Sequence, residues 1–316
     1  MKPTSSIGFE LGMPLLGRHN LSESSLFKHL GHHRWEQVQE KGRVLTSDIR
    51  DDAGSRLYAT FFFLELHFSP GKPLSHYGEN CRIEFNSDLF HYQKAYLDGR
   101  YTMADDPEQW LRASNVFIYQ ERGPSKLSLS TPETMDFSDI PELDAAPDAL
   151  GLCRESRLRG SFFERERDDR DLYDGDREFS YQIDADRDLN GAGLVYFANF
   201  LSVLDSAERH VLSNLPDAVP AEILDARSPY RRRIGYFGNA QSTDRLYVGL
   251  RSRARVGVDA VGGTLLDLGF DARVRRSSDD KEVVISSCRK VAAIEPRTDG
   301  EAWLQRFLTA RPQARG

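Results

Sequence analysis

The chain carries the same order of elements twice: an apolar helix, then a run of strands, on each side of an acidic stretch that contains Pro132, Pro141 and Pro147. In the first half, Asn20 or Ser22 can cap a helix that runs to about Glu40, with Leu26, Phe27, Leu30 and Val38 as a partial apolar stripe. Gly31 weakens that stripe. Strand-like runs rich in aromatic and β-branched residues follow at 43–49, 57–68, 81–85 and 115–121. In the second half, Asn190-Gly191-Ala192-Gly193 precedes a helix over 194–212, where Phe197, Phe200, Leu201, Leu204, Ala207 and Val211 recur at helical spacing. Strands are expected at 231–238, 244–256, 263–276 and 282–294, and a short packing helix from Glu301 to Ala310. Arg56-Leu57-Tyr58 and Arg245-Leu246-Tyr247 open long strands in the two halves, which strengthens the repeat. Helices followed by strands without βαβ alternation predict an α+β fold, each central helix wrapped in its own sheet. The boundary falls near residue 150, giving an N-terminal domain over 1–150 and a C-terminal domain over 151–316.

Charge sharpens this division. The 316 residues carry 49 acids against 42 bases, a net of −7, which disfavours nucleic-acid binding. The sum hides two blocks. Residues 133–186 hold seventeen acids and seven arginines, while residues 226–276 hold eleven arginines and four acids. The acidic block reads as a solvated connector.

Other classes are excluded more simply. No apolar run approaches the roughly 18 residues that would cross a bilayer. The stretch Met1–Ser6 shows no secretory signal, and Cys81, Cys153 and Cys288 form neither a disulfide framework nor a zinc motif, so a reducing cytoplasm is expected. His29, His32 and His33 read as a surface or half-buried cluster, because no carboxylate or cysteine set accompanies them as metal ligands. His67 with Gly71 makes half of a dehydratase-like HxxxGxxxxP motif, but His76 stands where proline would follow.

The string from Asp188 to Phe200, DLNGAGLVYFANF, resembles the start of the central helix in hot-dog-fold thioesterases of the hydroxybenzoyl-CoA type. There the acid matched by Asp188 is a nucleophile or base. Gly191 and Gly193 would turn the backbone tightly and leave N–H groups open to a thioester carbonyl. The same residue types also suit a plain helix cap by Asp188 and Asn190, with Tyr196 and Phe197 in the core.

In the first half, Gly12-Met13-Pro14, Leu21-Ser22-Glu23-Ser24, Gly31-His32-His33-Arg34-Trp35 and Gly54-Ser55-Arg56-Leu57-Tyr58-Ala59-Thr60-Phe61 resemble the LnmK family. These are bifunctional acyltransferase/decarboxylases of leinamycin-type polyketide biosynthesis. The resemblance spans most of the chain and implies a double hot-dog: two antiparallel sheets, each wrapping a central helix. It implies that methylmalonyl-CoA loses its carboxylate as CO2 and that propionyl passes to the phosphopantetheine thiol of an acyl carrier protein. No cofactor is implied beyond the coenzyme A thioester as substrate and the carrier phosphopantetheine as acceptor.

A tyrosine is the catalytic residue of such enzymes, and Tyr58 is its match here, either acylated itself or placing charge. A phenol is a poor nucleophile until its phenolate is stabilised, and Arg56, two residues earlier, would share its face on a strand. Without the resemblance, Tyr58 reads as a strand tyrosine packed on the sheet. Oxyanion and substrate contacts are expected from the helix starts, at Asn20, Ser22 and Glu23 and at Asp188, Asn190, Gly191 and Gly193. Arg231, Arg232, Arg251 and Arg253 would attract CoA phosphates or an acidic carrier, or else simply face solvent. Two other readings stay open: a hot-dog acyl-CoA or acyl-carrier thioesterase using Asp188, and a non-catalytic carrier-binding scaffold. The oligomeric state is also open, a homodimer included.

Overall fold

The computed structural model describes residues 5–18, 20–121, 127–259 and 262–309. Residues 1–4 of the N-terminal stretch and Ala310 lie outside them. The main strands are β1 (Ser5–Glu10), β2 (Tyr58–His67), β3 (Arg82–Ser87), β4 (Tyr96–Met103), β5 (Trp110–Gln120), β6 (Ser228–Tyr236), β7 (Arg245–Val258), β8 (Thr264–Arg276) and β9 (Glu282–Ala293). They form one antiparallel sheet in the order β1-β3-β4-β5-β2-β6-β9-β8-β7. The two expected sheets are thus joined edge to edge. β2 of the first half pairs with β6 of the second, from His67 opposite Arg231 to Phe63 opposite Gly235.

Helix α1 (Glu23–Gly42) starts where the Ser22 hydroxyl accepts the Ser25 N–H, and it ends at Arg43 in the left-handed region. Helix α2 (Asp148–Arg159) spans residue 150, α3 (Asn199–Ser213) is the second central helix, and α4 (Asp299–Thr309) is the terminal packing helix. Leu26, Phe27 and Leu30 of α1 share one core with Phe200, Leu201, Leu204, Ala207 and Val211 of α3 and with Leu64, Leu66, Ile234 and Leu268 of the sheet. Phe62 and Phe63, carried to the other face by a bulge between Phe61 and Phe63, pack with Ala149 and Cys153 of α2 and with Phe162. Covered on both faces, β2 reads as an almost continuous apolar run.

Three local expectations change. Residues 43–49 form no strand: Thr46–Asp48 is a 3-10 turn, and Ile49 is buried as a core contact. The second central helix starts at Asn199 rather than at 194. The Asn190 side chain accepts from the N–H groups of Ala192 (3.0 Å) and Leu194 (3.3 Å), while the Ala240 carbonyl takes the Val195 N–H (3.2 Å). Those N–H groups are committed to a turn instead of a helix. The acidic connector is also no loose linker, for Met135 and Ile140 are buried against Val38, Ile49, Leu57 and Phe117.

Candidate active site

A cavity of about 410 Å3 lies where the two halves meet. The first half supplies Trp35 of α1, Tyr58 to Phe62 of β2, Tyr96 of β4, and Val116, Ile118 and Gln120 of β5. The second half supplies Asn190, Ala192, Leu194 to Phe197 and Tyr236 to Asn239, and α2 adds Leu150 and Cys153. The sheet register explains the meeting: β2 enters at Tyr58 while β6 leaves at Tyr236, so the start of one strand and the end of the other lie at the same edge. The 189–198 turn is held against them. Phe61 packs on Phe197 at 4.3 Å between ring centroids, the Tyr236 hydroxyl donates to the Phe197 carbonyl (3.0 Å), and Asn239 Nδ2 donates to the Val195 carbonyl (3.1 Å).

Among the described residues that line this cavity, none is an acid, a base or a histidine. Its polar groups are hydroxyls of Tyr58, Thr60, Tyr96, Tyr196 and Tyr236, the amides of Gln120, Asn190 and Asn239, the Trp35 indole and one thiol. Burial raises the phenol pKa of Tyr196 and raises that of Tyr236 far above its ordinary value, so both stay protonated, the Tyr236 hydroxyl already donating to the Phe197 carbonyl. Burial likewise pushes the Cys153 thiol up to about 12, which leaves it protonated and unreactive at neutral pH. The Arg56 guanidinium lies 4.9 Å from the centre of the Tyr58 ring, a cation over a π face.

The structure divides the residues expected from the sequence. Tyr58 and Asn190 meet in this cavity, although they come from opposite halves. Asp188 does not line it and is 4% exposed. Its carboxylate accepts from the Tyr181 hydroxyl (2.8 Å), the Asp184 N–H (2.9 Å) and Arg187 Nε (3.1 Å). Burial opposes its charge, but these donors and the Arg187 cation outweigh burial and lower its pKa. Gly191 and Gly193 also stand outside the lining, and the Gly193 N–H is spent on the Asn190 carbonyl (2.9 Å). Asn20, Ser22 and Glu23 line a separate, polar cavity of about 270 Å3, together with Asp205 and Lys290. There Glu23 is an ion-pair partner, its Oε1 accepting from Arg232 Nε at 2.7 Å.

The arginine expectation needs a larger correction. Arg232 is 1% exposed, so it offers nothing to a phosphate or a carrier protein. Arg251 is paired with Asp176, and Arg253 with Asp271 at 2.6 Å and Asp169 at 3.3 Å. Arg231 lies over the Phe163 ring at 4.6 Å and lines a different cleft with Phe162, Arg233 and Arg255. The histidines of α1 separate as well: His29 stacks on Phe9, His33 packs on the edge of Tyr101, and His32 pairs with Glu36. His67 stacks on Trp110 at the opposite end of β2 from Tyr58.

Reading the sequence did not single out Tyr236, Tyr96, Cys153 or Asn239 for this site. A usable signal for Tyr236 was the alternation along β6, where Tyr230, Arg232 and Ile234 are buried and Tyr236 follows on the same face.

No protein-family model and no curated protein sequence matches this chain. Solved structures do. A protein from Lactobacillus plantarum assigned as an oleoyl thioesterase aligns over 92% of this chain and 96% of its own, with a TM-score of 0.59 and 10% identity. An acyl-ACP thioesterase from Bacteroides thetaiotaomicron covers 90% and 97%, with a TM-score of 0.52 and 11% identity. The 12:0-ACP thioesterase from Umbellularia californica covers 92% and 94%, with a TM-score of 0.55 and 11% identity. At such identities the likeness concerns the fold, and it spans both halves: this chain has the α+β double hot-dog fold.

Proposed function

We propose that the cavity between the halves binds a short acyl thioester, and that the chain is an acyltransferase/decarboxylase rather than a hydrolase. In this reading methylmalonyl-CoA is the donor. The bond to its β-carboxylate breaks, CO2 leaves, and the electron pair passes into an enolate on the thioester. That enolate is protonated at carbon, and the propionyl group moves to the phosphopantetheine thiol of an acyl carrier protein as the CoA thiol departs.

One observation carries the proposal: the described lining is uncharged, yet it holds neutral hydroxyl and amide groups besides those of Tyr236 and Asn239, which already donate to backbone carbonyls. A carboxylate moved from water into such surroundings is destabilised relative to CO2, and fixed donors favour the enolate oxygen as its charge develops. Neither effect calls for an acid or base of ordinary pKa. Tyr58 is the residue in the reacting position, its ring covered by the Arg56 guanidinium.

Thioester hydrolysis is the second reading, favoured by the names of the three structural relatives. Attack by water would need a base or a carboxylate nucleophile, and the candidate, Asp188, is turned away from the cavity and held by three donors. Incubation with methylmalonyl-CoA and a phosphopantetheinylated carrier, followed by mass spectrometry of the intact carrier, tests the choice. Propionyl-carrier is expected. Methylmalonic acid with an unloaded carrier supports hydrolysis, and unchanged thioester with measurable binding supports a scaffold.

A further inference from the structure

Most basic side chains of the second half are already neutralised by the chain's own acids. Arg255 pairs with Glu166 at 2.9 Å and Asp267 at 2.7 Å, Arg275 with Glu178 at 3.0 Å, and Arg289 with Asp169 at 2.9 Å. An anionic ligand binding there would first have to displace a carboxylate. Two arginines beside the cavity differ. Arg56 and Arg157 are exposed, and neither has an acidic partner among the described residues. Each lies over an aromatic wall of the cavity: the Arg56 guanidinium is 4.9 Å from the Tyr58 ring centre and that of Arg157 is 5.0 Å from the Phe237 ring centre. A shallow groove lined by Ser55, Arg56, Tyr58, Tyr119, Gln120 and Glu121 shares Tyr58 and Gln120 with the cavity, so Arg56 stands where the cavity opens outward, with the Glu121 carboxylate in the same groove.

We infer that Arg56 and Arg157 form a phosphate-binding pair at the cavity mouth, which receives the phosphate of a phosphopantetheine arm while its thioester end enters between the halves. The inference rests on the reading of the cavity as a thioester site. A planar guanidinium held over a ring loses little freedom on binding and presents its N–H donors to phosphate oxygens. The pairing also uses both halves of the molecule, because Tyr58 belongs to β2 while Phe237 follows β6.

Calorimetric titration with two unreactive thioethers, S-propyl phosphopantetheine and S-propyl pantetheine, tests the inference without any turnover. The parent protein should bind the phosphorylated compound about tenfold more tightly or better, as charge-assisted contacts allow. In R56A/R157A that preference should fall to less than about twofold, with the affinity for S-propyl pantetheine unchanged. R231A, which removes an arginine over a ring in a different cleft, should keep the preference. A preference retained by R56A/R157A, or lost in R231A, overturns the inference. So does an absence of preference in the parent, although binding of both thioethers would still uphold the thioester site. If the parent binds neither compound, both readings fall.

Discussion

Asp188 shows how one residue type serves two purposes that look alike in sequence. Its carboxylate collects the Tyr181 hydroxyl, the Asp184 N–H and Arg187 instead of facing a substrate. Because these donors lower its pKa, its charge stabilises the fold above the unfolded value of about 3.9, and that contribution is lost as pH falls through the folded value. Asp188→Asn should therefore cost about 1–3 kcal/mol at neutral pH. The gap to the parent should narrow below about pH 4 in denaturation curves recorded across pH. Turnover per folded molecule should persist, and its collapse would put Asp188 in the chemistry. Tyr58→Phe removes only a hydroxyl from the cavity. It should lower turnover about 10²-fold with an unchanged melting temperature, whereas turnover at the parent rate would remove Tyr58 from the mechanism. The sequence singled out Tyr58, Asn190 and Asp188 together. It could not say which of them face one space, since that depends on the turn that the Asn190 side chain builds.

The contacts between elements account for residues that look out of place in their own segments. Gly31 interrupts the α1 stripe because the 189–198 turn presses against it. A Cβ there would sit 2.7 Å from Phe197 Cζ and 3.2 Å from the Tyr196 hydroxyl. Gly31→Ala gains about 1 kcal/mol of helix propensity but incurs about 1–3 kcal/mol of overpacking. A lowered midpoint in urea unfolding is expected, and a raised one would show that the Phe197 ring gives way freely.

From sequence alone Arg232 is expected to attract CoA phosphates or an acidic carrier, or to face solvent. Strand alternation turns it inward, where it joins β6 to α1 through Glu23 and also faces Asp205 (3.4 Å) and Glu208 (3.9 Å). Arg232→Met alone should destabilise by about 3–5 kcal/mol, by leaving buried carboxylates uncompensated. The pair Glu23→Met/Arg232→Met should cost less than Arg232→Met alone in the same unfolding assay. An equal or greater loss would mean that Asp205 and Glu208, rather than Glu23, set the cost.

Across the whole molecule, the acidic and basic blocks prove to be two sides of one contact. Glu166, Asp169, Asp176 and Glu178 fold back onto Arg255, Arg253, Arg251 and Arg275. Composition revealed the two blocks but not that they meet, because counting charges carries no information about pairing. The repeat of helix and strands was legible, since period-2 and helical patterns are local. That β2 and β6 join the two sets of strands into one sheet was not, for strand pairing between distant segments leaves no local mark. Among the described residues, no helix is long and apolar enough to cross a membrane.

In the proposed function, this double hot-dog cavity removes CO2 from a bound thioester without a charged group in its described lining. Methylmalonyl-CoA labelled in its free carboxylate reads that directly. The label should leave as CO2 at the rate at which propionyl thioester forms. Label retained in free methylmalonic acid, with CoA thiol released in equal amount, would contradict the claim and make the protein a hydrolase.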